Sequence, residues 1–238
     1  MSKRVRYDAF RAVPRAARLS YTPRQRGRLV GQMVSFRRNR VPRVKGAIAN
    51  RQELKFVDTA LSTIAADTTG FVQPLNLLAV GDDNTTRDGR EVTIKSVAIQ
   101  GMLTPVDAET NANYARVMLV WDNANNSGSI ATIAQILASS SSIAFPLVDN
   151  NQRFTILSDQ RFAMGGQASA ATLAYSQSPT VCTFDIYKKM NSVVKYSGTT
   201  AVIGAIQNGA LLFVAIGSQA AGLGSVVTGN ARVRFVDN

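Results

Sequence analysis

Histidine is absent from the 238-residue chain, and cysteine occurs once, as Cys182. Without histidine the chain can form neither a Ser-His-Asp nor a Cys-His nucleophile pair, and it lacks a histidine general base or metal ligand. A single cysteine also excludes a disulfide within the chain. The sequence contains no glycine-rich phosphate loop, no paired-cysteine metal motif and no nucleophile elbow. We therefore expect no enzymatic activity and no cofactor.

Acidic residues cluster at Asp82, Asp83 and Asp88, and again at Asp107 and Glu109. Carboxylates are the ligands that calcium prefers, but neither cluster has the spacing of a calcium-binding loop. Aspartate is also a common turn residue. We interpret both clusters as solvated turns and expect no metal site.

Acids are scarce at the N-terminus, where residues 1–52 contain one, Asp8, against 15 basic side chains, 13 of them arginine. This segment has a net charge of +14, whereas the other 186 residues carry 12 basic and 14 acidic side chains. Its apolar residues are scattered, and Pro14, Pro23 and Pro42 interrupt any helix. The sequence predicts two parts, a flexible arm over 1–52 and a folded domain over 53–238.

Arginine offers a planar fork of donors that suits phosphate oxygens, so nucleic acid is the expected partner of the arm. Aromatic residues between irregularly spaced arginines are typical of sequence-independent contact with single strands. A solubilising tail is the simpler alternative, although such a tail does not require this excess of one sign. The residues expected to contact nucleic acid are Arg4, Arg6, Arg11, Arg15, Arg18, Arg24, Arg26, Arg28, Arg37, Arg38, Arg40, Arg43 and Lys45.

The dense basic cluster at 37–45 could also bind a host nuclear import receptor. Nuclear import and nucleic-acid binding use the same side-chain chemistry, so both interpretations stay open.

The sequence of the domain that follows is typical of an all-β protein. Short runs rich in β-branched and aromatic residues alternate with turn signals, and long helical periodicity is nearly absent. The predicted strands are eight, at 53–64, 71–78, 91–103, 114–121, 153–163, 181–190, 211–217 and 229–237.

Strict alternation in several of these runs predicts which side chains face the core. It places Leu54 and Phe56 on one face of a strand and Glu53 and Lys55 on the other. Val233 and Phe235 are separated in the same way from Arg232 and Arg234. Phe184 and Ile186 share one face of their strand. The apolar phase of 91–103 flips near Ser96, which indicates a β-bulge. One short helix is expected from the spacing of Ile130, Ile133, Ile136 and Leu137, with Ser129 as N-cap and the serines at 139–142 ending it.

Charge is missing from two long stretches, 162–184 and 197–231. The second is too broken by glycine and amide residues to span a membrane, because its continuous apolar part is short. It fits a strand buried on both sides. A monomer rarely exposes large apolar patches, so we expect both stretches to contribute to contacts between identical subunits.

Five segments resemble, in the same order, capsid proteins of small circular single-stranded DNA viruses that encode a replication initiator. They lie at 53–58, 87–94, 116–122, 153–159 and 232–237. The resemblance implies a single eight-stranded jelly-roll sandwich of two four-stranded antiparallel sheets, sixty copies of which close a T=1 icosahedral shell. It also implies that the arm packages single-stranded DNA, that the protein resides in the virion, and that assembly occurs in the host nucleus.

Two alternatives remain beside the DNA-virus capsid. A satellite-virus coat protein would package single-stranded RNA on a similar fold, and the charge chemistry does not distinguish RNA from DNA. A cellular single-strand-binding module with an arginine tail should instead carry stacking aromatics on an exposed sheet.

Overall fold

The computed structural model describes residues 53–106, 113–125, 128–164 and 181–238. The predicted arm, and every expectation that concerns it, lies outside these residues. The elements are β1 (Lys55–Ala66), β2 (Phe71–Pro74), β3 (Glu91–Thr104), β4 (Asn113–Asp122), α1 (Ile133–Ile136), β5 (Phe154–Met164), β6 (Cys182–Tyr196), β7 (Ile206–Asn208), β8 (Ala210–Gly217) and β9 (Ser225–Asp237), with 3-10 turns at Val148–Asn150 and Ile203–Ala205.

The strands form two antiparallel sheets, one of five strands in the order β1-β9-β3-β6-β7 and one of four in the order β2-β8-β4-β5. Without β7, the strand orders are β1-β9-β3-β6 and β2-β8-β4-β5. This is the Greek-key connectivity of an eight-stranded jelly roll. The predicted all-β jelly-roll sandwich is confirmed. The predicted strand count needs one correction, because the three-residue β7 pairs with the end of β6 and is too short to leave a sequence signal.

The two sheets enclose the hydrophobic core. Phe184 of β6 stacks on Phe213 of β8 with ring centroids 6.4 Å apart, and Phe162 of β5 lies 6.1 Å from Phe184. Val233 and Phe235 are buried, as their alternation predicts. The register of β3 against both neighbours shifts between Ile94 and Ser96, so the predicted bulge is confirmed.

Strand β1 departs from its predicted phase. Leu54 and Phe56 do not face the core, whereas Lys55 is buried opposite Phe235 of β9. The Lys55 ammonium lies 3.0 Å from Asp88 Oδ2 and 3.1 Å from Asp237 Oδ2, so two carboxylates compensate its charge. The alternating pattern alone could not predict that Lys55 faces inward, because its burial depends on ion pairs with residues distant in the sequence.

The connection between β4 and β5, residues 123–153, contacts strand β4, where the Ala144 carbonyl accepts a hydrogen bond from Arg116. Ile133, Ile136 and Leu137 of this connection belong to the hydrophobic core, as their spacing predicts. The helix itself is shorter than predicted: α1 is one turn with Thr132 at its N-cap, and Gln135 Oε1 accepts a hydrogen bond from the Thr132 amide. Ile130 lies outside it and is exposed. No helix in the described part of the chain is long and apolar enough to cross a membrane.

Strand β8 explains much of the uncharged stretch 197–231. All eight of its residues are buried, as predicted for a strand covered on both sides. Its second side was expected to meet a neighbouring subunit, but every residue of β8 is already buried within the one chain. That expectation is therefore wrong for β8. The centre of the other uncharged stretch, 165–180, lies outside the described residues.

Candidate nucleic-acid and assembly surfaces

All thirteen predicted nucleic-acid contacts precede Gln52 and so lie outside the described residues, as does the basic cluster at 37–45. The described chain begins at Glu53, two residues before β1. Because β1 is an edge strand, the arm is joined directly to the border of the five-stranded sheet.

Charge is divided unevenly over the described residues. The strands of the five-stranded sheet carry seven basic and four acidic side chains, and the other described residues carry five basic and eight acidic ones. The five-stranded sheet therefore has a net charge of +3 and the remainder a net charge of −3. The five-stranded sheet is therefore the part of the described residues with the more favourable charge for a polyanion.

Cross-strand rows organise the solvent-facing side of this sheet. Strand register aligns Asp58, Arg232, Ala98 and Tyr187 across β1, β9, β3 and β6. Arg232 binds Asp58 through two hydrogen bonds of 2.7 and 2.6 Å. These bonds lower the pKa of Asp58. The Arg232 guanidinium also lies over the Phe56 ring, 4.6 Å from its centroid, so this side chain is held in place.

The adjacent row aligns Phe56, Arg234, Ser96 and Lys189. It contains two cations and no acid. Neither Arg234 nor Lys189 forms a salt bridge with any residue that the structure describes. This row could not be predicted from the sequence, because it is assembled from strands far apart in the chain.

Three arginines of the sequence motifs serve the fold instead. Arg116 is buried and binds both carboxylate oxygens of Asp159 at 2.8 Å, while its third nitrogen donates to the Ala144 carbonyl. Arg153 binds the buried Asp122 in the same two-pronged way, at 2.9 and 2.8 Å. Each pair joins strand β4 to a segment that packs against it. These motif residues are thus structural and not exposed to a ligand.

Arg87, the third of these arginines, is buried. Its nitrogens donate to the carbonyls of Leu78, Gly89 and Gly198, and its guanidinium lies 4.5 Å from the centroid of the Tyr196 ring. Burial lowers the pKa of Arg87 and raises that of Tyr196. Arg87 therefore ties the β2–β3 connection to the chain that follows β6.

An exposed apolar patch lies on the 123–153 connection. It consists of Ile143, Phe145 and Val148, of which Phe145 is 79% exposed. Ile143 also lines a depression of about 270 Å³ together with Tyr114 and Phe162. Sequence reasoning missed this patch, since its apolar run resembles a buried strand. Adjacent apolar side chains exposed in this way are typical of a protein interface.

The acidic turn residues do not form a metal site in the part of the chain that the structure describes. No three side chains of histidine, cysteine, aspartate or glutamate lie close enough there to hold an ion together. The Asp83 carbonyl accepts a hydrogen bond from the Thr86 amide in a tight turn, and Asp88 pairs with Lys55. Asp107 and Glu109 lie outside the described residues.

Two solved viral structures share limited similarity with the chain. The structure of desmodium yellow mottle tymovirus is 14% identical over 80% of this chain and 90% of that one, with a TM-score of 0.34. The infectious bursal disease virus Gx strain is 8% identical over 77% of this chain and 32% of that one, with a TM-score of 0.23. Scores this low carry no argument about function. No curated protein matches the sequence.

The sequence model of the satellite tobacco necrosis virus coat protein family matches residues 30–238. The match covers the whole domain and the last part of the arm. It favours the satellite-virus alternative and gives no support to the DNA-virus capsid, to preference for DNA, or to a step in the host nucleus. The chain is therefore a viral coat protein that belongs to the satellite tobacco necrosis virus coat protein family.

Proposed function

We propose that this coat protein assembles into a closed shell of identical subunits and packages single-stranded RNA through the arginine-rich arm. The family match over residues 30–238 carries the proposal, because it joins the jelly-roll domain to the arm residues Arg37, Arg38, Arg40, Arg43 and Lys45. Coat proteins of this kind are structural and not catalytic. The virion is then the site of the protein's function.

The distribution of charge supports this role. The arm has a net charge of +14 and the domain one of −2, so the domains can pack together while the arms collect around a polyanion. A shell of sixty subunits, the size proposed, would bring about 840 positive charges to the packaged strand, enough for roughly as many phosphates. Longer RNA would require additional cations.

The type of nucleic acid is tested directly on particles isolated from virus-containing material. We expect the released nucleic acid to be degraded by ribonuclease and to resist deoxyribonuclease. Electron microscopy of the same material should show shells of uniform size. Circular DNA in the particles would overturn the RNA proposal, and a preparation containing monomers or small oligomers alone would overturn the shell.

The apolar patch of Ile143, Phe145 and Val148 is proposed as part of the contact between subunits. Phe145→Asp should abolish shells, since it places a charge where apolar surface is to be buried. Folding should be unchanged because Phe145 is largely exposed. Sedimentation measures assembly, and circular dichroism measures folding.

Leu54→Asp is the matched control for this experiment. Leu54 is also apolar and 55% exposed, but it precedes β1 and lies outside the patch. We expect this variant to form shells in normal yield. If Phe145→Asp assembles as well as Leu54→Asp does, the patch is not an interface. The exposed residues of 162–184 and 197–231 stay predicted contacts, and Ala220→Asp tests the second stretch in the same assay.

A further inference from the structure

A shallow trough runs along β3 on the solvent-facing side of the five-stranded sheet. Its floor consists of short side chains, Ser96 and Ala98. Arg232 and Arg234 of β9 form one wall, and Tyr187 and Lys189 of β6 form the other, because the register places them directly beside these two floor residues. Neighbouring strands lie about 4.8 Å apart, so the walls are separated by roughly 10 Å.

The same trough contains a depression of about 470 Å³. It is lined by Asp58, Ala98, Gln100, Asn230, Ala231, Arg232 and Arg234. Its lining thus combines two guanidinium groups with two amide side chains, which are the groups that bind phosphate and sugar oxygens in nucleic-acid interfaces. The depression shares Arg234 with the row of cations and Ala98 and Arg232 with the neighbouring row.

Charge pairing within the trough leaves a net attraction for anions. Asp58 binds Arg232 and also interacts electrostatically with Arg234, although neither Arg234 nor Lys189 forms a salt bridge with a described residue. Asp185 lies at the far end, one row beyond Tyr187. An anion bound between Arg234 and Lys189 would therefore meet two cations that form no salt bridge with a described residue.

Tyr187 distinguishes nucleic acid from other anionic partners. Its side chain is 60% exposed on the wall opposite Arg232. An exposed ring beside unpaired cations can stack on a base while the cations bind the adjacent phosphates, as in sequence-independent single-strand sites. An acidic peptide would gain from the cations but not from an exposed aromatic face of this kind.

We propose that this trough is a second binding site for the sugar-phosphate backbone of a single strand, built on Arg234, Lys189 and Tyr187. The proposal rests on the proposed packaging function and extends it from the arm to the folded domain. It means that the five-stranded sheet faces the packaged strand.

Binding of short, mixed-sequence single-stranded RNA to the dissociated full-length protein tests the site. The double variant Arg234→Gln/Lys189→Gln should bind about tenfold more weakly at 0.15 M salt, because each lost phosphate contact costs roughly three- to fourfold there. The dependence of log affinity on log salt should become shallower by about 1.4. The charge-preserving variant Arg234→Lys/Lys189→Arg should restore the wild-type slope.

The matched control is Arg90→Gln/Arg161→Gln, which removes the same charge from positions outside the five-stranded sheet. We expect it to bind within about twofold of the wild type, since these arginines contact no strand in the proposed mode. If the two double variants lose affinity equally, the trough is not a site and the arm alone carries binding. If the wild type itself does not bind, the packaging proposal fails together with the trough.

Ultraviolet cross-linking of particles containing RNA gives a second measurement. Tyr187 should be recovered in a peptide cross-linked to nucleotide. Tyr114, which is also exposed but lies on β4 of the other sheet, should not. Cross-linking at Tyr114 without Tyr187 would show that the other sheet faces the RNA and would overturn the proposal.

Discussion

Deletion of residues 1–52 is expected to leave a folded domain that has lost almost all of its ability to retain nucleic acid. Every residue of the described hydrophobic core lies between Leu61 and Phe235, so the deletion removes none of it. The deleted segment holds the chain's excess positive charge, and the remaining domain has a net charge of −2. The truncated protein should therefore fold normally and lose its retention of nucleic acid.

The salt dependence of RNA binding gives the size of this effect. If most of the arm's charges contact phosphates, the slope of log affinity against log salt should be roughly −10 for the full chain. The trough alone would leave a slope of about −1 to −2 in the truncated protein. Filter binding across a salt series measures both slopes, and the ratio of absorbance at 260 and 280 nm reports co-purified nucleic acid.

An arm in which all thirteen arginines are replaced by lysine is the control for charge alone. It keeps the net charge of +14, so the slope should persist, while the loss of the guanidinium fork should weaken binding moderately. Two results would contradict the division between arm and domain. One is unfolding of the truncated protein in circular dichroism, and the other is undiminished co-purification of nucleic acid.

The sequence predicts the strands well because sandwich strands leave a local signal. The alternation at Val233 and Phe235 and the phase flip near Ser96 both arise from neighbouring residues, and both are confirmed. The helix prediction was less accurate in its bounds, since the burial of Ile133 and Ile136 depends on a sheet that the local pattern does not contain. Local patterns therefore give the elements and their approximate ends.

The features that could not be predicted depend on pairing between distant strands. Lys55 has the polarity of an exposed residue, and its burial requires Asp88 and Asp237 to meet it. The trough requires the register of β3, β6 and β9 together, and no segment of the sequence carries that information. The arm could be proposed from sequence because its charge needs no partner strand to be recognised.

Asp159→Ala is expected to destabilise the domain by about 3–5 kcal/mol, because it leaves the buried Arg116 charge without a carboxylate. The Arg116 side chain is 1% exposed, so water cannot replace the lost partner. The free energy of unfolding of an ordinary domain is about 5–15 kcal/mol, so a loss of this size should leave few folded subunits and few shells. Denaturant unfolding of the full chain, below the concentration at which shells form, measures the loss.

Asp58→Ala is the matched control, because Asp58 also binds an arginine through two hydrogen bonds, but on the surface. Both side chains of its pair are nearly half exposed, so water can solvate Arg232 and the loss of stability should be far smaller than for Asp159→Ala. Arg116→Met should cost less than Asp159→Ala, since Asp159 is 30% exposed and retains Arg161 nearby. In the double variant the unpaired buried charge is gone, so Arg116→Met/Asp159→Ala should be more stable than Asp159→Ala alone. Equal losses for the buried and the exposed aspartate, or strict additivity in the double variant, would show that the Arg116–Asp159 pair does not stabilise the contact between β4 and β5.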